Sequence, residues 1–412
     1  MLKKQILVYY SDCTFFAGCE SMIPNFLNSK KLNNYYETNF VYRNNDIYER
    51  ELKSRLKLKT KLFGINLLEQ NIHKKIFSPI IKIKILYYFL AFPFMLFWKY
   101  FLIFYSIIPI YNIFKKLKPH VVHINNGGYP AAISTYSAVF AAKAIGVKKI
   151  IYVVNNIATD YKNPLRWLDY LLDKVVCYCV DIFVTGSKNA MFNLAKVLNL
   201  NENKVISIPN GITLRKVILS KPEFLKKLKI NLNGRLIFST IALLEKRKGH
   251  IWLLKSIKIL IEKNEFPNIP LFIIEGNGPE KKNIEKFIYD HDLKKHVILI
   301  DYYKNIFDLI NASDVIILPS IKNEDFPNVI IESMGMSKPV IGTKIAGIPE
   351  QIDHDKNGYL VNPQDPEDLY HHIAKIMKNN RIDSFSKSSK IKFDMNYDVS
   401  ISVNKYINLY KN

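Results

Sequence analysis

The sequence predicts an α/β protein built from two Rossmann-like halves, each a parallel sheet covered by helices on both faces. Short β-branched or aromatic runs alternate with segments of helical period through about residue 212, and the same alternation starts again near residue 235. The chain also has 412 residues, more than one hydrophobic core usually organises. Strand and helix alternating in this way imply crossover connections, which place a ligand crevice at the C-terminal ends of the strands.

In the first half, 1–212, the runs QILVYY, HVVHI, KIIYVV, DIFVTG and KVISI read as strands. The stretch 213–234, ITLRKVILSKPEFLKKLKINLNG with its flanks, carries no buried strand and reads as a linker. In the second half, 235–385, the strands are RLIFSTI, PLFIIEG, HVILID, DVIILPS and KPVIGT, with helical stretches such as 250–263 and 280–290 between them. Residues 386–412 are expected to be helical and to pack back toward the first half.

Lys and Arg number 59 against 36 Asp and Glu, a formal charge of +23. Such an excess fits phosphates, an anionic membrane or nucleic acid as partners. Abundant Lys, Asn and Ile are also what compositional drift produces. The basic residues are not interleaved with a motif that reads RNA or DNA, so nucleic acid is not expected. Cys13, Cys19, Cys177 and Cys179 lack zinc-site spacing and are expected to be reduced and buried. The start, MLKKQILVYYSD, has too short an apolar run for a signal peptide, and the chain is expected to stay in the cytoplasm.

One segment departs from the alternation. Residues 80–114, IIKIKILYYFLAFPFMLFWKYFLIFYSIIPIYNIF, carry only Lys82, Lys84 and Lys99 as charges and have basic flanks. The length would span a bilayer. A single crossing, however, would put the first strands on the opposite side from the rest of their sheet, and Pro93, Lys99 and Pro109 are expected to interrupt the helix. The segment is therefore expected to lie in a membrane interface, with lysines reaching toward anionic headgroups. The alternative is a helix buried between domains.

The stretch NEDFPNVIIESMGM holds Glu324 and Glu332 eight positions apart. Pro327 stands where a helix would begin, so Glu324 is expected at the strand edge and Glu332 inside the helix. The first-turn amides at Asn328, Val329 and Ile330 suit a phosphate, and a carboxylate at Glu324 suits a pair of sugar hydroxyls. Upstream, Lys248 and Gly249 stand at a strand-to-helix turn, where an ammonium can hold a diphosphate. Gly276 and Gly278 in IIEGNGPE follow a strand and would let the backbone approach a ligand, although Gly-x-Gly-Pro is also the pattern of a tight turn.

The ordered set KRKG, GNGPE, LPSIKNEDFPNVIIESM, KPVIGTKIAGIPE and NGYLV resembles the donor-binding half of the retaining GT-B glycosyltransferases of family four. FFAGCE at 15–20, KPHVVHINNGGYP and IPNGI resemble landmarks of that family's other half. The resemblance implies two Rossmann-like domains facing each other across a cleft. It also implies that Glu324 contacts the donor sugar, Glu332 the ribose hydroxyls and Lys248 the diphosphate, with Arg247 assisting. The backbone from Phe326 through Asn328 to Val329 would touch sugar and phosphate, and Gly18 would let the first loop approach the donor.

Three departures stand out. Ala242 and Leu243 occupy the place of the arginine many members carry ahead of the lysine, and Ala17 replaces a usual glycine. Asn125 and Asn155 occupy places where some members have a functional histidine, which leaves His123 nearby as a further catalytic candidate beside Glu324 and Lys248. The expected reaction moves a hexose-type sugar from a nucleotide-diphosphate sugar to a membrane-linked glycan acceptor, with retention and without a metal or other cofactor. Leaving-group charge would fall on Lys248 and the helix amides. A sugar-nucleotide epimerase of the same fold, or a non-catalytic basic membrane-surface protein, are the alternatives.

Overall fold

The computed structural model describes residues 4–14, 16, 18, 20–77, 84–379 and 381–411. They form two compact units, Met1–Ile208 with Ser402–Asn412, and Pro209–Ile401.

The first unit holds β1 (Gln5–Ser11), β2 (Tyr36–Arg43), β3 (Lys61–Ile65), β4 (Val121–Asn126), β5 (Lys149–Val154), β6 (Ile182–Thr185) and β7 (Val205–Ser207). Their order across the sheet is β3-β2-β1-β4-β5-β6-β7, with every pair parallel. The order reverses beside β1, and Ser11 at the end of β1 pairs with Asn125 near the end of β4, where such sheets bind ligands. Two of these strands escape the sequence reading. β2 carries Glu37, Thr38 and Asn39 within its run, and β3 is an edge strand in which only Ile65 is buried.

The second unit holds β8 (Ile237–Ile241), β9 (Leu271–Glu275), β10 (Val297–Ile300), β11 (Val315–Leu318), β12 (Val340–Thr343) and β13 (Gly358–Val361), in the order β10-β9-β8-β11-β12-β13, again all parallel. β8, β9, β11 and β12 are buried at every position, as expected of strands covered on both faces.

The segment 213–234 is not a bare linker. It carries a helix, Lys221–Lys227, closed by a capping box of Ser220 and Glu223, and it lies within the second unit. Residues 386–401 also belong to the second unit, and only residues from Ser402 onward join the first.

The apolar segment forms a long helix, Lys84–Leu117, that runs through both Pro93 and Pro109. The expected interruption does not occur. Leu102, Ile103, Ile110 and Phe114 are buried in the core of the first unit, and this packing outweighs a local cost of about 3 kcal/mol for a proline inside a helix. Residues 80–83 lie outside the described residues. Phe89–Leu117 is long and apolar enough to cross a membrane by length and composition. β3 and β4, the strands that precede and follow the helix in the chain, belong to one hydrogen-bonded sheet.

Candidate functional site

In the second unit, β8 and β11 are neighbours, and the loops at their C-terminal ends bring Lys248 and Glu324 together. Gly249 makes this approach possible. Its φ is +73°, and a Cβ there would stand 1.9 Å from the carbonyl oxygen of Pro319. No side chain fits. Across the same contact Ile321 N donates to Arg247 O at 2.8 Å.

Glu324 is buried, and one of its oxygens, Oε1, accepts from Lys248 Nζ, Ser320 Oγ at 2.8 Å and Arg247 Nη1 at 3.4 Å. Among the described residues no donor reaches Oε2, which leaves that oxygen as an acceptor for a hydroxyl. Arg247 is held by Glu245 at 2.6 Å and by the Asn323 carbonyl at 3.1 Å. Ser320 and Glu245 were missed in the sequence, where neither a serine after a strand nor a glutamate before a basic run carries a distinguishing signal.

The helix Asn328–Gly335 begins four residues after Glu324, with Pro327 as its N-cap rather than its first residue. Ile330 N is already bonded to Pro327 O at 3.3 Å, so it does not join the amide donors that were expected there. Asn328 Oδ1 accepts from Asn210 Nδ2 at 2.8 Å, which ties the IPNG turn to the helix start. Val329 is half-buried on the first turn. Phe326 is buried edge-on against Tyr397, ring centroids 5.7 Å apart. Glu332 lies more than a turn inside the helix and is buried. The loop is buttressed by Thr343 Oγ1 at the end of β12, which donates to Ser320 O at 2.6 Å, and by Gln351 Nε2 on the short helix Ile348–Gln351, which donates to Pro327 O at 3.1 Å.

At Gly276 and Gly278 the close approach is made by backbone. A Cβ on Gly276 would lie 2.0 Å from Ala242 O, and one on Gly278 would lie 2.5 Å from Leu244 O. Their function is to let the loop after β9 seat the loop after β8, fixed by Leu244 N to Asn277 O at 3.0 Å and Glu280 N to Leu244 O at 2.9 Å. The loop that carries Lys248 is thereby held from behind. At the end of β9, burial pushes the Glu275 carboxyl up to about 7, against a backbone hydrogen bond from Tyr303 N that favours its ionised form.

His123 is corrected from catalyst to core. It is buried on β4, stacked on Tyr9 with ring centroids 4.1 Å apart, and its Nδ1 bonds the Tyr410 hydroxyl at 2.6 Å. Burial drives its pKa down to about 3, so the ring stays neutral. The C-terminal edge of that sheet carries a different polar cluster. Glu20 is buried there and accepts from Ser11 Oγ at 2.8 Å, from Tyr48 Oη and from Asn125 Nδ2 at 3.3 Å. Asn125 Oδ1 accepts in turn from Asn155 Nδ2 at 2.8 Å. Desolvation raises the Glu20 carboxyl to about 7, with Asp12 adding to the rise and the Tyr48 and Ser11 hydroxyls opposing it. Nothing in the residues around Glu20 marks it for this role.

Gly18 is exposed in the loop before Glu20, with its carbonyl accepting from Ser21 Oγ at 2.7 Å and open space where a Cβ would be. Phe15, Ala17 and Cys19 of that loop lie outside the described residues. The expectation of buried cysteines holds for Cys179, whereas Cys13 and Cys177 are half-buried; all three are free thiols, and burial raises Cys177 to about 11.

Residues 220–392, the greater part of the second unit, match the family described as glycosyl transferases, group 1. The chain is 25% identical over 317 residues to the UDP-Gal:alpha-D-GlcNAc-diphosphoundecaprenol alpha-1,3-galactosyltransferase of Escherichia coli, covering 74% of this chain and 78% of that enzyme. It is 24% identical to the capsular polysaccharide biosynthesis glycosyltransferase CapM of Staphylococcus aureus, covering 66% of this chain and 71% of that protein. Its fold is similar to a glycosyltransferase of Rickettsia africae, with a TM-score of 0.75 at 17% identity over 99% of this chain and 98% of that one. It is likewise similar to the Anabaena protein HepE in complex with UDP and glucose, with a TM-score of 0.74 at 14% identity over 99% and 100%. The two parallel α/β units have the GT-B fold, and the part of the chain that matches the group 1 glycosyl transferases is residues 220–392.

Proposed function

We propose that this enzyme moves a hexose-type sugar from a nucleotide-diphosphate sugar to a membrane-linked glycan acceptor in cell-envelope polysaccharide or lipopolysaccharide synthesis, with retention at the anomeric carbon and without a metal. The observation that carries the reading is the Glu324 carboxylate, which gives one oxygen to Lys248, Ser320 and Arg247 and keeps the other for a hydroxyl. The two bacterial relatives, one acting on a diphosphoundecaprenol and one in capsule biosynthesis, support the acceptor class. UDP and glucose in the similar Anabaena structure support the donor class.

Breaking the bond between anomeric carbon and phosphate leaves negative charge on the nucleoside diphosphate. Lys248 stands at the strand edge to receive that charge, and the positive end of the helix Asn328–Gly335 adds to it. These groups supply the neutralisation a metal would otherwise supply. Glu324 then orients the sugar through Oε2, and Glu332 takes the ribose hydroxyls. The long helix seats the enzyme peripherally on the cytoplasmic face of the membrane, within reach of a lipid-linked acceptor.

The test is product analysis with labelled UDP- and GDP-hexoses and an undecaprenyl-diphosphate-linked N-acetylhexosamine acceptor, with the new anomeric configuration read by NMR. Retained configuration and full turnover in EDTA are expected, together with loss of turnover in Lys248→Ala. Inverted product, dependence on metal, or an unaffected Lys248→Ala would each overturn the corresponding part of the proposal.

A further inference from the structure

The exposed apolar surface of the first unit extends beyond the long helix. Phe97, Phe101, Phe104 and Ile108 recur along one side of that helix, with Phe97 67% and Phe104 68% exposed, while Ile103, Ile110 and Phe114 face the core. A surface helix ordinarily turns charged residues to water. This one presents aromatic rings instead.

A second row lies on the 3-10 turn Pro164–Asp169 and the outer helix Tyr170–Cys179 that follows it. Trp167, Leu171, Val175 and Tyr178 repeat at helical spacing, with Trp167 65% and both Leu171 and Tyr178 77% exposed. The middle helix, Ser134–Ala144, is buried along nearly its whole length beneath these flanking helices. The two rows adjoin where Lys99 pairs with Asp169 and where Tyr100 Oη donates to Leu168 O at 2.6 Å. Monomeric proteins rarely expose apolar patches of this extent without a partner.

Charge selects the partner. Lys174 Nζ stands 5.2 Å from the centre of the Tyr170 ring and Lys143 Nζ 5.7 Å from that of Tyr178, while Lys115 and Lys116 end the long helix, exposed. The neighbouring acids face inward: Asp169 and Asp173 are buried and bonded to Arg166 at 2.5 and 2.7 Å. An apolar plane rimmed by lysines matches the acyl boundary and headgroups of an anionic bilayer.

We propose that the two rows form one seat that enters the headgroup–acyl boundary of an anionic bilayer, with Trp167 and Tyr178 at its second edge. The proposal rests on the membrane reading above and widens it from one helix to a plane, which fixes the enzyme's orientation as a single helix would not.

The experiment uses the full chain with Trp98→Phe and Trp252→Phe, so that Trp167 is the sole emitter. With phosphatidylcholine vesicles containing phosphatidylglycerol, Trp167 emission shifts to the blue and is quenched by lipids brominated near the headgroup. Binding weakens about tenfold or more in phosphatidylcholine alone, in Leu171→Glu/Tyr178→Glu and in Phe104→Glu/Ile108→Glu, while circular dichroism melting stays unchanged. Vesicle pelleting without quenching of Trp167, and with Leu171→Glu/Tyr178→Glu binding as well as its parent, overturns the two-row seat and leaves the one-helix reading standing. Absence of pelleting overturns both. A dimer dispersed by Leu171→Glu/Tyr178→Glu, with no quenching by vesicles, overturns the seat in favour of a second copy of the chain.

Discussion

Glu20 makes the stability of the first unit depend on pH, and Glu20→Gln removes that dependence. Its carboxyl ordinarily titrates at 4.5 and is raised to about 7 in the fold. An acid with a raised folded pKa binds a proton in the native state that the unfolded chain has released, so stability falls as pH rises through this window. At about 1.4 kcal/mol per decade the full gap is about 3 kcal/mol. Between pH 5 and 8 the loss is about 2.5 kcal/mol, since titration is nearly complete at both ends. The assay is urea unfolding in a Trp252→Phe background, where Trp98 and Trp167 both report the first unit. The wild-type midpoint should fall by about 1 M urea between those pH values, and that of Glu20→Gln should fall much less. Parallel pH dependence in the two proteins would show that burial does not hold the Glu20 proton.

Other perturbations give separate readings. Lys248→Met strands the buried Glu324 carboxylate and should cost about 3 kcal/mol in thermal or urea unfolding, whereas Lys248→Met/Glu324→Gln should recover at least half of it; equal losses would mean the pair carries no coupling. Gly249→Ala forces a Cβ to within 1.9 Å of Pro319 O at a φ of +73°, and should lower stability by more than about 2 kcal/mol in urea or thermal unfolding. Glu275→Gln should flatten the pH 5 to 8 stability change of the second unit, read from Trp252, because burial raises Glu275 to about 7. Arg166→Met leaves Asp173 buried without its cation and Asp169 with Lys99 alone and should cost about 3 to 5 kcal/mol, visible as a lower melting temperature.

What the sequence revealed of the site depended on whether a residue's partner was local. Glu324, Pro327 and Glu332 share one strand-loop-helix unit, so the order of apolar run, loop and helix start was enough to place them. The pairing of Lys248 with Glu324 spans 76 positions and became legible only through the ordered motifs of a family. Gly276 and Gly278 show the opposite case. Their identity marks a close approach, but whether ligand or backbone makes the approach depends on where residues 242–244 run, and the backbone does. His123 was placed correctly after an apolar run yet misjudged in role. The aromatic residues that bury it, Tyr406 and Tyr410, come from the far end of the chain.

The two exposed rows show why the remainder stayed hidden. The burial pattern of a helix follows from its neighbours, while the sequence shows only that apolar residues recur at helical spacing. In the long helix the apolar residues run all round, so composition alone raised the question of a membrane. In the outer helix, Leu171, Val175 and Tyr178 have the spacing of any core-facing stripe, and nothing local says that they face outward. Their direction is set by Arg166, Asp169 and Asp173, which bond one another on the inner side. Buried ions must satisfy one another where water cannot reach, and once this cluster claims the inner face, the stripe left over has only the outer one to occupy. Disrupting the cluster should therefore disturb membrane seating as well as stability, and in Arg166→Met the loss of Trp167 quenching by brominated lipid should accompany the drop in melting temperature.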